Sequence, residues 1–125
     1  MERIEPGIEL REEPCSFVAA SCAWKDSCQE PLKMWHAAGV REDGYLSLND
    51  MNRYLRGIFN QEGSKIVKKT TFKRGERPKL GSFLAGNKDR YIICVLGHYV
   101  YANGERYWSF FDNDNDDVVC VWKIG

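Results

Sequence analysis

The chain has 125 residues, of which 43% are apolar and 13% aromatic. This composition is typical of one globular domain, and we expect a single domain over residues 1–125. Its 18 basic residues balance its 18 acidic ones, so neither nucleic acid nor a membrane surface is an expected partner. The segment MERIEPGIELREEPC lacks the apolar run of a secretory signal, and no stretch of ~18 apolar residues predicts a membrane-spanning helix. We therefore expect a cytoplasmic protein whose five cysteines are reduced.

The first half of the chain has helical patterns. The segment CSFVAASCAWKDS, residues 15–27, spaces its small and apolar side chains at helical intervals, and Pro14 stands just before it. EPLKMWHAAG, residues 30–39, predicts a second short helix that ends at its glycine. A third helix is predicted in SLNDMNRYLRGIF, residues 47–59, where Ser47 with Asp50 resembles a capping box. The apolar side chains of this helix form one stripe, made of Leu48, Met51, Tyr54, Leu55 and Ile58.

The second half has strand patterns. KIVKKTTF, Lys65 to Phe72, predicts a strand, and LGSFLAG a short helical turn. Four further strands are predicted in YIICVL, HYVYA, RYWSFF and VVCVWKI, which are rich in β-branched and aromatic residues. Asn103-Gly104 predicts the two central residues of a tight hairpin turn. The order indicates an α+β domain in which amino-terminal helices pack on a carboxyl-terminal antiparallel sheet.

Two residues suggest nucleophilic chemistry. Cys15 stands at the predicted start of the first helix, where free backbone N–H groups and the helix dipole stabilise a thiolate and can receive an oxyanion. His98 stands at the start of a predicted strand, far away in sequence. A cysteine hydrolase needs such a pair, because the imidazole deprotonates the thiol and then protonates the leaving group.

A zinc site is the main chemical alternative. Cys15, Cys22, Cys28 and His36 are four possible ligands. Structural zinc sites usually contain close pairs such as C-x2-C, and no such pair occurs here. We therefore expect no metal and no cofactor, and we interpret Cys22 and Cys28 as packing residues.

The segments PCSFVAAS and LGSFLAGNKDRYIICVLGHYVYANGERYWSFFDN resemble small papain-like cysteine peptidases. The resemblance is closest to compact phage-encoded members, with bacteriocin-processing peptidases as more distant relatives. It implies a papain-like fold, a Cys15 nucleophile, a His98 base and a protein or peptide substrate. A phage origin would place the protein in the host cytoplasm or the virion. One departure is the region before Cys15, which offers Glu9, Glu12 and Glu13 where the family has an oxyanion-binding Gln.

Two residues are candidates for the third position of the site, the one that orients the imidazole of His98. At the position where the phage relatives carry Asp, this chain has Ser109. A turn centred on Asn103-Gly104 would place Ser109 directly opposite His98, whereas Asp112 would reach the ring only through a bulge or a longer turn. The sequence therefore predicts a Cys-His dyad supported by Ser109 or a shifted triad with Asp112, and the first is favoured.

The acidic stretch FFDNDNDDVV resembles the beginning of a calcium loop. Asp112, Asp114 and Asp116 occupy its first, third and fifth places, but the glycine and the bidentate glutamate that such a loop needs are replaced by Asp117 and Lys123. We interpret the stretch as a solvated turn between two strands.

The sequence thus predicts an enzyme, a thiol hydrolase of the cysteine peptidase or isopeptidase type. The alternative is a catalytically degenerate papain-like binding protein, such as a phage-type effector or structural accessory. In that case outward-facing aromatics would form the contact surface, with Tyr99, Tyr101, Tyr107 and Trp108 as candidates. The sequence predicts no oligomeric state.

Overall fold

The computed structural model describes residues 1–25, 46–61 and 64–125, which form a mixed α+β structure. Its helices are α1 (Cys15–Lys25), α2 (Leu48–Ile58) and α3 (Leu80–Leu84), and a 3-10 turn (Ile8–Leu10) precedes α1. The helix predicted over residues 30–39 lies outside the described residues. Among the described residues, no helix has the length and apolar character needed to cross a bilayer.

The predicted cap of α2 is confirmed. Ser47 has an extended backbone, and its hydroxyl accepts a hydrogen bond from the Asp50 N–H at 3.2 Å. The cap therefore satisfies one of the backbone donors that the first turn of a helix leaves unpaired. The predicted apolar stripe then buries Met51, Tyr54 and Leu55 against the sheet.

The strands form one mixed sheet. They are β1 (Glu2–Ile4), β2 (Asn60–Gln61), β3 (Ser64–Thr71), β4 (Arg90–Val95), β5 (His98–Asn103), β6 (Arg106–Trp108) and β7 (Val118–Ile124). Their order is β1-β6-β5-β4-β7-β3-β2. The central strand β4 pairs antiparallel with both β5 and β7, so the strand that begins with His98 lies next to the middle of the sheet.

The prediction of a purely antiparallel sheet is wrong at one edge. β1 pairs with β6 in parallel, with Arg3 opposite Tyr107. This strand has no recognisable sequence pattern, because ERI is short and two of its three side chains are charged. Its pairing also affects the site, because the Ser109 N–H donates to the Ile4 carbonyl at 3.0 Å just beyond the end of β6.

The predicted position of the β5–β6 turn is also wrong. Asn103 pairs with Arg106, so the central residues of the turn are Gly104 and Glu105. Gly104 has a φ of 66°, which suits the first central position of a tight hairpin turn. The strand pairing therefore differs by two residues from the register that would place Ser109 directly opposite His98.

Both faces of the sheet are covered by apolar clusters. The first cluster joins α1 and α2 to one face and includes Tyr99 and Tyr101. The second joins α3 to the other face and includes Tyr107. These three tyrosines are fully buried, and Trp108 is half-buried. The expectation that alternate aromatics face solvent is therefore wrong, because strands covered on both faces bury both sets of side chains.

Candidate active site

A cavity of about 390 Å³ lies where the start of α1 meets β5 and the end of β6. Its lining residues include Cys15, His98 and Ser109. The remaining lining residues are Arg11, Glu12, Glu13, Val18, Tyr99, Trp108, Phe110 and Phe111. Three of the four side chains that the sequence singled out therefore border one cavity.

Cys15 is the first residue of α1, as predicted. The Val18 N–H donates to the Pro14 carbonyl at 2.9 Å, which makes Pro14 the residue that caps the helix start. Proline suits this boundary because it has no N–H of its own to leave unpaired. The Cys15 backbone N–H consequently lies at the positive end of the helix dipole, beside its own thiol.

Cys15 is also the most accessible of the cysteines that the structure describes. It is half-buried, whereas Cys22, Cys94 and Cys120 are buried. Burial, with a smaller contribution from Cys120, raises the pKa of the Cys94 thiol to about 12. Burial likewise raises the pKa of Cys120. Because only the thiolate is nucleophilic, the surroundings of Cys94 and Cys120 suppress their reactivity. Of the possible zinc ligands, Cys28 and His36 lie outside the described residues.

His98 is positioned by the turn between β4 and β5. Val95 pairs with His98, and the turn residue Gly97 has a φ of 75°, in the left-handed region where glycine carries no steric cost. Burial lowers the pKa of the His98 imidazole, and the carboxylate of Asp116 partly opposes that shift. The ring of Phe111 stands edge-on to the imidazole, with 5.7 Å between ring centroids.

A chain of polar contacts runs from His98 into the acidic stretch. The imidazole Nε2 lies 3.3 Å from the Ser109 hydroxyl. That hydroxyl donates to Asn113 Oδ1 at 2.5 Å, and it accepts from the Phe111 N–H at 3.1 Å. Asn113 Nδ2 in turn donates to Asp116 Oδ2 at 2.7 Å. Ser109 and Asn113 are both buried, so the hydrogen bond between them is shielded from water, whereas the contacts to His98 and Asp116 are partly buried.

Ser109 therefore reaches His98 although it is not its partner in the sheet. β6 ends at Trp108, and the chain then bends, with Ser109 bonded through its backbone to Ile4. The bend brings the hydroxyl to the ring by a route that regular pairing does not provide.

The Asp112 side chain makes its hydrogen bonds to residues other than His98. Its Oδ1 accepts hydrogen bonds from the Tyr107 hydroxyl at 3.4 Å and from the Asp114 N–H at 3.0 Å. The Tyr107 hydroxyl also accepts from the Asn113 N–H at 3.0 Å. In the part of the chain that the structure describes, Asp112 thus fixes the start of the acidic loop, and the contact to the imidazole is made by Ser109.

The sequence did not identify Asn113 and Asp116 as parts of the site. Both lie in a stretch that reads as a solvated turn, yet Asn113 is only 5% exposed. The burial of Asn113 cannot be predicted from periodicity in the sequence, because the loop follows neither strand nor helix spacing. Only the fold shows that Asn113 points inward.

The cavity rim is acidic on the side where α1 begins. Glu12 and Glu13 line the cavity on the side of the α1 start. Arg11, next to them, lies over the Phe110 ring at 5.9 Å from its centroid. Ionised carboxylates accept hydrogen bonds but do not donate them. The cavity can therefore attract a cationic group at this rim, and these two carboxylates supply no donor for an oxyanion.

Comparisons of the chain with protein-family models, with curated proteins and with solved structures found no match.

Proposed function

We propose that the protein is a papain-like thiol hydrolase, a cysteine peptidase or isopeptidase that acts through an acyl-enzyme on Cys15. The observation that carries the proposal is the cavity that Cys15 and His98 share, with the cysteine at a helix start and the imidazole Nε2 3.3 Å from the Ser109 hydroxyl. The amide substrate class rests on the resemblance of residues 80–113 and of the Cys15 segment to that family.

The reaction follows from the properties of the two groups. The lowered pKa of His98 keeps its imidazole neutral near pH 7, so the ring can take the Cys15 proton. The thiolate then attacks the carbonyl carbon of the substrate amide, the C–N bond breaks, and the imidazolium returns the proton to the leaving amine. Water, deprotonated by the same ring, hydrolyses the thioester and releases the acid and the free thiol.

The developing oxyanion would be held by the backbone. The Cys15 N–H stands at the positive end of α1, where a negative charge is favoured. Since Glu12 and Glu13 occupy the rim, no side-chain amide among the residues lining the cavity adds a second donor.

Selective alkylation tests the nucleophile. The native protein is treated with substoichiometric iodoacetamide at pH 7.5, and the modified peptides are identified by mass spectrometry. Cys15 should react first, because Cys22, Cys94 and Cys120 are buried. His98→Gln should slow the reaction of Cys15, and a Cys15→Ser variant is the matched control. Faster modification of Cys94 than of Cys15 would contradict the proposal.

Hydrolysis itself is tested with a library of internally quenched peptides and with a peptide vinyl sulfone as a mechanism-based trap. A covalent adduct on Cys15 that requires His98 supports the acyl-enzyme route. Adduct formation that is the same in His98→Gln would show that the imidazole is not the base.

A binding protein on the same scaffold is the second candidate, and the acidic rim at Glu12 and Glu13 is the observation that favours it. Its contact surface would be Leu96 and Phe111, which are 59% and 65% exposed. Leu96 stands two positions before His98, and the Phe111 ring lies 5.7 Å from the imidazole. Cys15→Ala distinguishes the candidates, because it abolishes a hydrolase and leaves a binder intact.

A further inference from the structure

The hydrogen bonds behind His98 have a fixed direction that begins at Asp116. An ionised carboxylate can only accept, so the side-chain nitrogen of Asn113 must face it, at 2.7 Å. This contact settles the orientation of the Asn113 amide. Its Oδ1 is therefore the atom that faces Ser109, and that atom can only accept.

The same reasoning fixes the hydroxyl of Ser109. A serine hydroxyl has one proton to donate and two lone pairs. Ser109 gives the proton to Asn113 Oδ1 at 2.5 Å, and one lone pair accepts the Phe111 N–H at 3.1 Å. Only a lone pair remains for the contact with His98 at 3.3 Å. The imidazole must then donate, which requires the proton of the neutral ring to be on Nε2.

We propose that Asn113 and Asp116 are positioning residues that act through Ser109 to hold neutral His98 with its proton on Nε2, leaving Nδ1 as the basic nitrogen. The catalytic use of Nδ1 rests on the proposed hydrolase function, whereas the tautomer itself does not. A reversed hydroxyl would place a donor against Nε2 and favour the proton on Nδ1, where the ring could no longer take a proton from Cys15.

The loop that carries these two residues is held firmly. The carbonyls of Asp114 and Asp116 accept hydrogen bonds from the Gly81 and Leu80 N–H groups at the start of α3, at 2.9 and 3.0 Å. The Asp116 N–H donates to the Asn113 carbonyl at 3.0 Å. Asn113 is buried, so water does not compete for its amide. The chain of contacts can therefore impose its direction on the ring.

The tautomer can be read directly by nuclear magnetic resonance. Long-range ¹H–¹⁵N correlation spectra of ¹⁵N-labelled protein, recorded without substrate at pH 8, distinguish a protonated from an unprotonated ring nitrogen. His36→Gln assigns the two histidines. We expect wild-type His98 to carry its proton on Nε2. In Asn113→Ala, the freed hydroxyl can turn toward the ring, so the ratio of the Nε2–H to the Nδ1–H form should fall about fivefold, the factor that one hydrogen bond contributes.

Two further variants make the result specific. Asp116→Asn removes the group that orients Asn113 and should shift the ratio in the same direction by a smaller factor. The exchange variant combines Asn113→Asp with Asp116→Asn. The new carboxylate at position 113 can accept from Ser109, and the new amide at position 116 can donate to that carboxylate, so the ratio should return to the wild-type value. Asn115→Ala, an exposed residue in the same loop, is the matched control and should change nothing.

The outcomes separate this proposal from the proposed function. A wild-type ring with its proton on Nδ1, or a ratio that stays the same in folded Asn113→Ala and Asp116→Asn, overturns the positioning role. If Asn113→Ala does not fold, the Asp116→Asn and exchange variants decide alone. A shifted ratio in a protein that never hydrolyses a peptide or labels with the vinyl sulfone upholds the positioning role and refutes the hydrolase.

Discussion

Removing the Ser109 hydroxyl is expected to destabilise the protein well beyond an ordinary serine substitution. The hydroxyl makes three contacts, to His98, Asn113 and the Phe111 N–H. In Ser109→Ala the buried Asn113 Oδ1 loses its donor, which costs about 2 kcal/mol for an unsatisfied buried group. The lost bond from Phe111 adds about 1 kcal/mol. A total of about 3 kcal/mol corresponds to a fall in Tm of roughly 10 °C for a chain of this size.

The assay is urea unfolding of four proteins: the wild type, Ser109→Ala, Asn113→Ala and the double variant. Once one partner is gone, removing the other costs less, because a buried polar group no longer stands unpaired. The double variant should therefore be about 1–2 kcal/mol more stable than the sum of the single changes predicts. Strict additivity would refute the bond that joins Ser109 to Asn113.

Ser16 provides the control. It is 1% exposed, as is Ser109, but its hydroxyl has no hydrogen-bond partner among the described residues. Ser16→Ala should leave the free energy of unfolding unchanged or raise it slightly, since alanine is the better helix former. An equal loss in both serine variants would show that burial, not hydrogen bonding, sets the effect.

Three further predictions concern the site and its rim. Burial lowers the pKa of His98 in the folded protein below its value of about 6.5 in the unfolded chain. Between these two pKa values the unfolded chain binds more protons than the folded one. The free energy of unfolding should therefore fall as the pH drops from about 6.5 to the lower, folded-state pKa. Urea midpoints between pH 8 and pH 5 should show this fall, and His98→Gln should lose that component; a midpoint that rises relative to this variant on acidification would contradict it. Gly97→Ala forces a side chain into a φ of 75° and should cost about 1–2 kcal/mol in thermal unfolding, whereas no loss would show that the turn relaxes without strain. Replacing Glu12 and Glu13 together by Gln should lower kcat/KM for peptides with Lys or Arg next to the scissile bond, relative to neutral peptides. The expected decrease is at most about fivefold, which is the contribution of an exposed ion pair. If the ratio of kcat/KM between basic and neutral peptides is unchanged, the acidic rim does not select substrates.

The helices and most strands could be predicted because their signals are local. The cap at Ser47 and the apolar stripe of α2 depend on neighbours within a few residues, and both are present in the structure. The range predicted for β7 is also the one observed, because a run of β-branched and aromatic residues ends at clear boundaries.

The hairpin register could not be fixed from the Asn-Gly pair alone. The left-handed φ is taken by Gly104 in either arrangement, so the glycine signal does not choose between a turn centred on 103–104 and one centred on 104–105. The contact of Ser109 with His98 was predicted from the wrong register. It exists because β6 ends early and the chain turns toward Ile4, which depends on the unforeseen strand β1.

For a related reason, the sequence did not predict the hydrogen bonds of Asn113 and Asp116. Their roles depend on which side chains of an irregular loop turn inward, and that is decided by distant partners such as Tyr107 and the start of α3. The pair of Cys15 and His98 was easier to find, since each stands at the beginning of a regular element.

The hydrogen bonds between the acidic loop and α3 also have a consequence for folding. Cys15 lies with the apolar cluster on one face of the sheet, whereas the loop that orients His98 is anchored beside the cluster on the opposite face. The cavity is therefore complete only after both halves of the interior have formed. Under the proposed function, a chain in which only one of the two clusters has packed would therefore lack an assembled site.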